Sequence, residues 1–417
     1  SESFETNEDL FLRINNLYKR GLQQRLNIKD KKKLEKSYVI DENKFSLNKL
    51  KYTVSQLEKL SFVDGKNSFS GKDILGDFFE GIIRDGFKQN KGQFFTHLNI
   101  VKFLIWGMKL DDLAINQINN KIDLPYIIDP SAASGTFLIE YMKFITECIK
   151  RRFKNKIHDT RDIEDKFNNW FLPDNKENKW AKDYIYGVEH NFNLGTATKV
   201  NMILHGDGSS NIFVKDGLLP FSNYEKEISP NELNKFSNDK SYNNIKVNEK
   251  FDVVISNPPF SVDLDKETVK NLKNSFIFGE KKNSENFFIE RYYQLLKPNG
   301  RLGIVLPESV FDTTENKYIR LFLYKYFKIK SVVSLPQLTF EPYTSTKTSL
   351  LFAQKKTQDE ISDWNKIWAQ KSLEWKNLTT RALNIKNVYI YKKDRKKFPS
   401  IKDLNPAEEK KIFLKIL

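Results

Sequence analysis

At 417 residues, with 39% hydrophobic side chains, the chain is long enough for two or three domains and has enough apolar material to bury a sizeable core. Lys and Arg outnumber Asp and Glu by 69 to 54, a formal charge of +15, which favours a polyanionic partner over an acidic small molecule; a Lys-rich solvated surface is the blander alternative. The single cysteine, Cys148, excludes an internal disulfide and a thiolate metal cluster, points to a reducing compartment, and is expected to be a small core residue.

No apolar run approaches the ~18 residues that span a bilayer, and Ser1-Glu2-Ser3-Phe4 lacks a basic then apolar leader. A soluble protein that stays inside the cell is expected. The first residue is not Met, which suggests a piece excised or processed from a longer chain.

From Asp9 to about Lys88 apolar residues recur at helical spacing, first at Leu10, Leu12, Ile14 and Leu17, later at Ile74, Leu75, Phe78, Phe79, Ile82 and Ile83. This predicts a helical N-terminal domain over residues 1–90, with Asp30 to Lys33 as a solvated charge run. After Leu124, short β-branched runs alternate with longer amphipathic stretches, as in a doubly wound α/β sheet. Strands are predicted at Tyr126–Ile128, Tyr184–Val188, Phe251–Ile255, Leu302–Leu306, Ser331–Leu335 and Leu350–Ala353. Helices are predicted at Phe137–Phe153, Leu194–Leu204, Glu285–Leu296 and Tyr318–Phe327. Two polar segments, Ser222–Glu249 and Ser261–Ser284, are expected to be loops, the first an insertion and the second able to close over a substrate. Beyond Gln354 the chain turns polar and helical over Asp363–Trp375, passes a basic stretch at Lys392–Lys397, and is expected to end in a helix over Pro406–Leu417.

Three constellations carry chemistry. Ile127 to Leu138 places a strand, a tight small-residue turn and a helix in succession, which lets backbone approach a nucleotide closely, although purely structural turns use the same residues. Glu189 closes the strand Tyr186-Gly187-Val188, where a carboxylate can accept from ribose hydroxyls or serve as a helix cap. Ser256-Asn257-Pro258-Pro259-Phe260 follows a buried strand and is the most specific of the three. Its two prolines remove backbone donors and stiffen the turn, so the Asn257 amide oxygen and the Pro258 carbonyl can accept both hydrogens of an aromatic amine. The amine lone pair then points away from the ring toward an activated methyl, and Phe260 can stack on the base. A structural Asn-Pro-Pro turn is the alternative.

With these motifs in this order, the chain resembles the N6-adenine DNA methylases of the type I modification-subunit kind, over about Lys72 to Phe352. Asp73 to Arg84 followed by Lys91-Gly92-Gln93-Phe94-Phe95-Thr96 resembles the family segment that covers the methionine end of the cofactor. His97 replaces the usual proline and is given a capping role only. Asp129 to Leu138 resembles the cofactor loop, usually D-P-A-C-G-S-G-G-F-L, with Ala133 standing where the family has its first glycine. If that position needs positive φ, a Cβ there strains the loop or crowds the ligand. Asp216 resembles the acid near the cofactor's adenine amine. Leu335 to Leu350 resembles the hairpin beside the target base, with Phe340 or Tyr343 stacking opposite Phe260 or else lying in the core.

The resemblance implies a class I S-adenosylmethionine-dependent methyltransferase fold over residues 91–355, preceded by the helical domain and followed by residues 356–417, a polar helical segment that could begin a linker to a specificity region. It implies methyl transfer to N6 of a flipped adenine in DNA, with Asn257, Pro258, Pro259 and Phe260 catalytic. The cofactor residues implied are Gln93, Phe94, Thr96, Asp129, Ser131, Ser134, Gly135, Thr136, Phe137, Glu189 and Asp216. S-adenosyl-L-methionine is the cofactor and no metal is expected, because positioning and the sulfonium leaving group drive transfer. Implied partners are DNA, a specificity subunit or a specificity region of a longer parent chain, a restriction subunit, and a second methylation subunit as a homodimer. The setting would be the cytoplasm and nucleoid of a bacterium. The alternatives are an RNA adenine or protein glutamine methyltransferase, and a non-catalytic scaffold of a DNA-modification complex, which Ala133 keeps open.

Overall fold

The computed structural model describes residues 5–25, 35, 38–41, 45–57, 96–171, 177–206, 211–218, 249–260, 262, 264, 272, 276, 278, 284–341, 344–389, 391 and 407. The expected helix at Asp73–Arg84, the basic stretch at Lys392–Lys397, the charge run at Asp30–Lys33 and almost all of the two polar loops and the terminal helix lie outside them.

Near the N-terminus, α1 (Asn7–Arg25) and α2 (Leu47–Leu57) pack together through Leu10, Leu22 and Leu50, all buried. Asn15 ties the intervening chain to α1 by accepting from Val39 N and Ile40 N and donating to Ile40 O.

Then come α3 (Leu98–Gly107), α4 (Leu110–Lys121), β1 (Ile127–Asp129) and α5 (Thr136–Thr146), which runs into a π-helical turn over Glu147–Arg152. Next are α6 (Arg161–Trp170), the one-turn α7 (Ala181–Tyr184), β2 (Ile185–Glu189), α8 (Phe192–Leu204), β3 (Asn211–Val214) and β4 (Phe251–Ser256). The C-terminal half has α9 (Ser284–Leu295), β5 (Leu296–Pro307), α10 (Ser309–Asp312), α11 (Lys317–Tyr326), β6 (Phe327–Ser334), β7 (Thr348–Lys355) and α12 (Gln358–Tyr389).

The strands form one seven-stranded sheet in the order β3-β2-β1-β4-β5-β7-β6, parallel except for β7, which runs antiparallel between β5 and β6. The doubly wound sheet expected from the alternating pattern is therefore present. Strand residues alternate between two cores, as a period of two requires. Ile127, Val253, Val305, Leu350 and Phe352 meet α3 to α5, whereas Ile128, Val254, Ile304, Leu351 and Ala353 meet α9 and α11. Burial on both faces explains why these strands are continuous apolar runs.

β3 was not among the expected strands, and α3, α4 and α6 add helices to those expected. Cys148 is buried as anticipated, and desolvation pushes its thiol up to about 12. His97 caps α3 by accepting at Nδ1 from Asn99 N, the capping role assigned to it. Among the described residues no helix is long and apolar enough to cross a membrane.

Candidate active site

The chain reverses its winding between β1 and β4, and in open α/β sheets a ligand crevice lies outside the carboxyl ends of strands at that point. A small, solvent-open cleft lies there. Its walls bring together Thr96, Ser131, Ser134, Thr136, Phe137 and Asn257, with the Ala132–Ala133 turn between them.

The loop leaving β1 turns through two left-handed residues. Ala133 has φ +46° and Gly135, which precedes α5, has φ +81°. The first glycine of the family pattern is thus replaced at a position that does use positive φ, and the alanine is held there from both sides. Its N–H donates to Glu189 Oε2 at 3.0 Å, and its carbonyl accepts from Thr198 Oγ1. Ser134 Oγ and Thr136 Oγ1 lie 2.8 Å apart at the start of α5.

Behind this loop stand two buried carboxylates. Glu189, 4% exposed, accepts from Ala133 N at Oε2 and from Asn191 N at Oε1. Burial raises its pKa against those backbone hydrogen bonds. Asp129 Oδ1 accepts from Ser256 Oγ at 2.7 Å and from Ser131 N at 3.0 Å, while Oδ2 is buried and has no hydrogen-bond partner among the described residues. Desolvation, reinforced by the nearby Glu189 charge, pushes Asp129 up to about 7 against the hydrogen bonds from Ser256 and Ser131.

The Asn-Pro-Pro turn leaves β4 on the opposite wall. Asn257 Nδ2 donates to Thr96 Oγ1 at 2.9 Å, which fixes which way the amide faces. Pro258 is buried and Pro259 half-buried, and the Pro259 carbonyl accepts from Ser284 Oγ at 2.9 Å. Phe260 and Phe340 are 4% and 2% exposed and belong to one core cluster. The core alternative thus describes Phe340 in this conformation, and neither ring presents an open face. Asp216 is half-buried and turns back to accept from Leu218 N at 2.9 Å, just before Gly217, where an added Cβ would lie 2.1 Å from Pro130 O. The end of β3 is therefore seated against the β1 loop, although Asp216 is not in the cleft wall. Gln93, Phe94 and Tyr343 lie outside the described residues.

Sequence reasoning did not single out Ser256, Thr198 or Ser284. Serine and threonine at strand ends and helix starts have no spacing signature, and only the fold brings them against the loops.

The sheet order, the positive-φ turn after β1, the acid ending β2 and the Asn-Pro-Pro turn after β4 define the class I S-adenosylmethionine-dependent methyltransferase fold. The chain belongs to the N-6 DNA methylase family, whose model matches residues 70–415. It is 23% identical over 310 residues to the Escherichia coli type I restriction enzyme EcoEI methylase subunit, covering 73% of this chain and 50% of that one. It is 22% identical over 346 residues to the Methanocaldococcus jannaschii type I restriction enzyme MjaVII methylase subunit, covering 79% and 48%. The chain thus spans about half the length of these curated relatives. A solved structure described as showing assembly and conformational transition of the type I R-M system superimposes with a TM-score of 0.53 at 20% identity, over 84% of this chain and 60% of that one.

Proposed function

We propose that this chain transfers the methyl group of S-adenosylmethionine to the exocyclic N6 of adenine in DNA, as the modification component of a bacterial restriction-modification system. The observation that carries the reading is one shared cleft: the small-residue turn Ser131–Phe137 forms one wall, and Asn257, oriented through Thr96, forms the other.

The residues present fit that cofactor. Asp129 keeps a buried oxygen with no partner among the described residues, Glu189 ends β2 at the same place, and the turn between them is already left-handed. Asp129, Ser131, Ser134, Gly135, Thr136, Phe137 and Glu189 would hold it, with Thr96, Gln93 and Phe94 at its methionine end and Asp216 toward its adenine. When bound, S-adenosylmethionine supplies a methyl group activated by its sulfonium.

The chain's own residues do the positioning. Thr96 takes the Nδ2 donor of Asn257, so Oδ1 and the Pro258 carbonyl are the acceptors for the two hydrogens of the target amine. Accepting both hydrogens localises the nitrogen lone pair and directs it out of the ring. Phe260, with Phe340 or Tyr343, supplies stacking once the extruded base separates the rings; extrusion costs roughly a few kcal/mol. The net charge of +15 suits a phosphate backbone.

Sequence reading is assigned to a separate specificity subunit or region, with a restriction subunit and a second methylation subunit completing the assembly in the bacterial cytoplasm. The type I methylase-subunit names of the relatives support this.

The test incubates the chain with S-adenosylmethionine and DNA lacking N6-methyladenine, then digests the DNA for mass spectrometry. N6-methyldeoxyadenosine is expected, falling by about 100-fold or more in Asn257→Ala. Methylation of RNA or of peptide glutamine in place of DNA would overturn the reading.

A further inference from the structure

Ser256 is the last residue of β4, immediately before Asn257, and is completely buried. Its hydroxyl lies 2.7 Å from Asp129 Oδ1 and 2.7 Å from Ser131 Oγ, both on the loop that leaves β1. Ser131 Oγ also stands 3.3 Å from the Asn257 carbonyl, a longer contact that competes with Ser256 for its one hydrogen. A hydroxyl has one hydrogen. Ser256 gives its own to the Asp129 carboxyl, so it receives from Ser131, and the chain runs Ser131 to Ser256 to Asp129 in one direction. Tyr292 of α9, fully buried, brings its hydroxyl beside Ser256 and Ser131. This direct side-chain path joins the two walls of the cleft: both its ends sit on the loop proposed to hold the cofactor, and its middle is Ser256, whose backbone leads directly into Asn257.

We propose that Ser256 is a positioning residue that couples the two walls, so that occupation of the β1 loop sets where Asn257 stands. The inference rests on the proposed methyl transfer for its chemistry, but not for its geometry. Ser256 and Asp129 are buried, where losing a hydrogen bond is felt most. The coupling also explains a polar, wholly buried side chain that directly follows the apolar run Val253-Val254-Ile255.

The test uses the whole chain as wild type, Ser256→Ala, Ser256→Thr, Ser131→Ala and the Ser131→Ala/Ser256→Ala double variant. Calorimetry measures S-adenosylhomocysteine binding, hydrogen exchange follows the amides of Asn257 and Phe260, and mass spectrometry measures N6-methyladenine formation at saturating ligand. In the wild type the ligand should slow exchange at both amides. In Ser256→Ala the ligand should still bind within about tenfold, the slowing at Asn257 and Phe260 should disappear, and turnover should fall about 10- to 100-fold, the loss of one buried hydrogen bond. Ser256→Thr should restore both readouts. Ser131→Ala should weaken the slowing from the other wall, and the double variant should be no worse than Ser256→Ala, as expected for residues acting as one chain. Unchanged slowing in both single variants, or a loss lying wholly in ligand affinity, overturns the coupling. A wild type that binds and shows the slowing yet makes no N6-methyladenine overturns the proposed function and leaves the coupling standing. A wild type that does not bind the ligand overturns both.

Discussion

Replacing Asp129 by Asn isolates the energetic consequence of burying a carboxyl behind the β1 loop. In the folded chain its pKa stands at about 7 against 3.8, chiefly through desolvation. A raised carboxyl pKa means that the native state holds the proton more tightly than the unfolded chain does. Its contribution to stability is therefore greatest below about pH 4, declines as pH rises toward 7, and is flat above that. At about 1.4 kcal/mol per unit, the full interval corresponds to about 4 kcal/mol, of which about 2–3 kcal/mol falls between pH 5 and 7.5. Asn mimics the protonated acid at every pH. It still accepts from Ser256 and Ser131 through its oxygen and buries an unpartnered NH2 where Oδ2 stood, a pH-independent offset. Urea unfolding of wild type and Asp129→Asn across pH 5 to 7.5 measures the difference, in which the titrations of all other groups cancel. The variant should gain about 2–3 kcal/mol relative to wild type over that range. A difference that stays constant would refute the desolvation argument and show that Asp129 is ionised with ordinary affinity in the folded state.

Further predictions follow from the same contacts. Ala133→Gly relieves a left-handed alanine at φ +46° and should raise stability by up to about 1 kcal/mol, with cofactor affinity unchanged or tighter; urea unfolding and calorimetry measure both. Gly217→Ala puts a Cβ 2.1 Å from the Pro130 carbonyl, backbone that must move, so it should cost about 1–3 kcal/mol in thermal unfolding and weaken cofactor binding more than it slows saturated turnover. Thr96→Val removes the acceptor for Asn257 Nδ2 and should lower kcat about tenfold in single-turnover assays, because the amide loses its fixed facing. Lys355→Met empties a buried ammonium site that donates to Glu249, Tyr293 O and Leu296 O, and should destabilise the β5–β7 region by about 3 kcal/mol without changing cofactor affinity.

The central strands were legible because burial on both faces leaves β1, β2, β4 and β7 each with a short continuous apolar run, a signal that needs no neighbours to interpret. β3 escaped notice because Asn211–Val214 is an edge strand of four residues, two of them only half-buried. α3 carries its helical period in Val101, Leu104, Ile105 and Met108, yet its sequence is so apolar that it has no polar face to reveal an amphipathic stripe. The site was readable where backbone chemistry is unusual: two prolines after Asn257, and a run of small residues between Asp129 and Thr136. It was silent on which side chains meet: Thr96 and Ser131 were named, but not their contacts with Asn257 and Ser256. Ser256 and Ser131 are 125 positions apart, Asn257 and Thr96 161. The departure at Ala133 was visible in sequence, but only the fold reveals that the alanine occupies the left-handed region and is clamped there by Glu189 and Thr198.

The central claim is that the cleft between the β1 loop and the Asn-Pro-Pro turn holds S-adenosylmethionine. Titration of the ligand into the whole chain by calorimetry, with Glu189→Ala beside it, tests this most directly. The account predicts saturable, one-to-one binding by the wild type that weakens at least about tenfold when the Glu189 carboxylate is removed. Absence of binding by the wild type, or binding indifferent to Glu189, would contradict it.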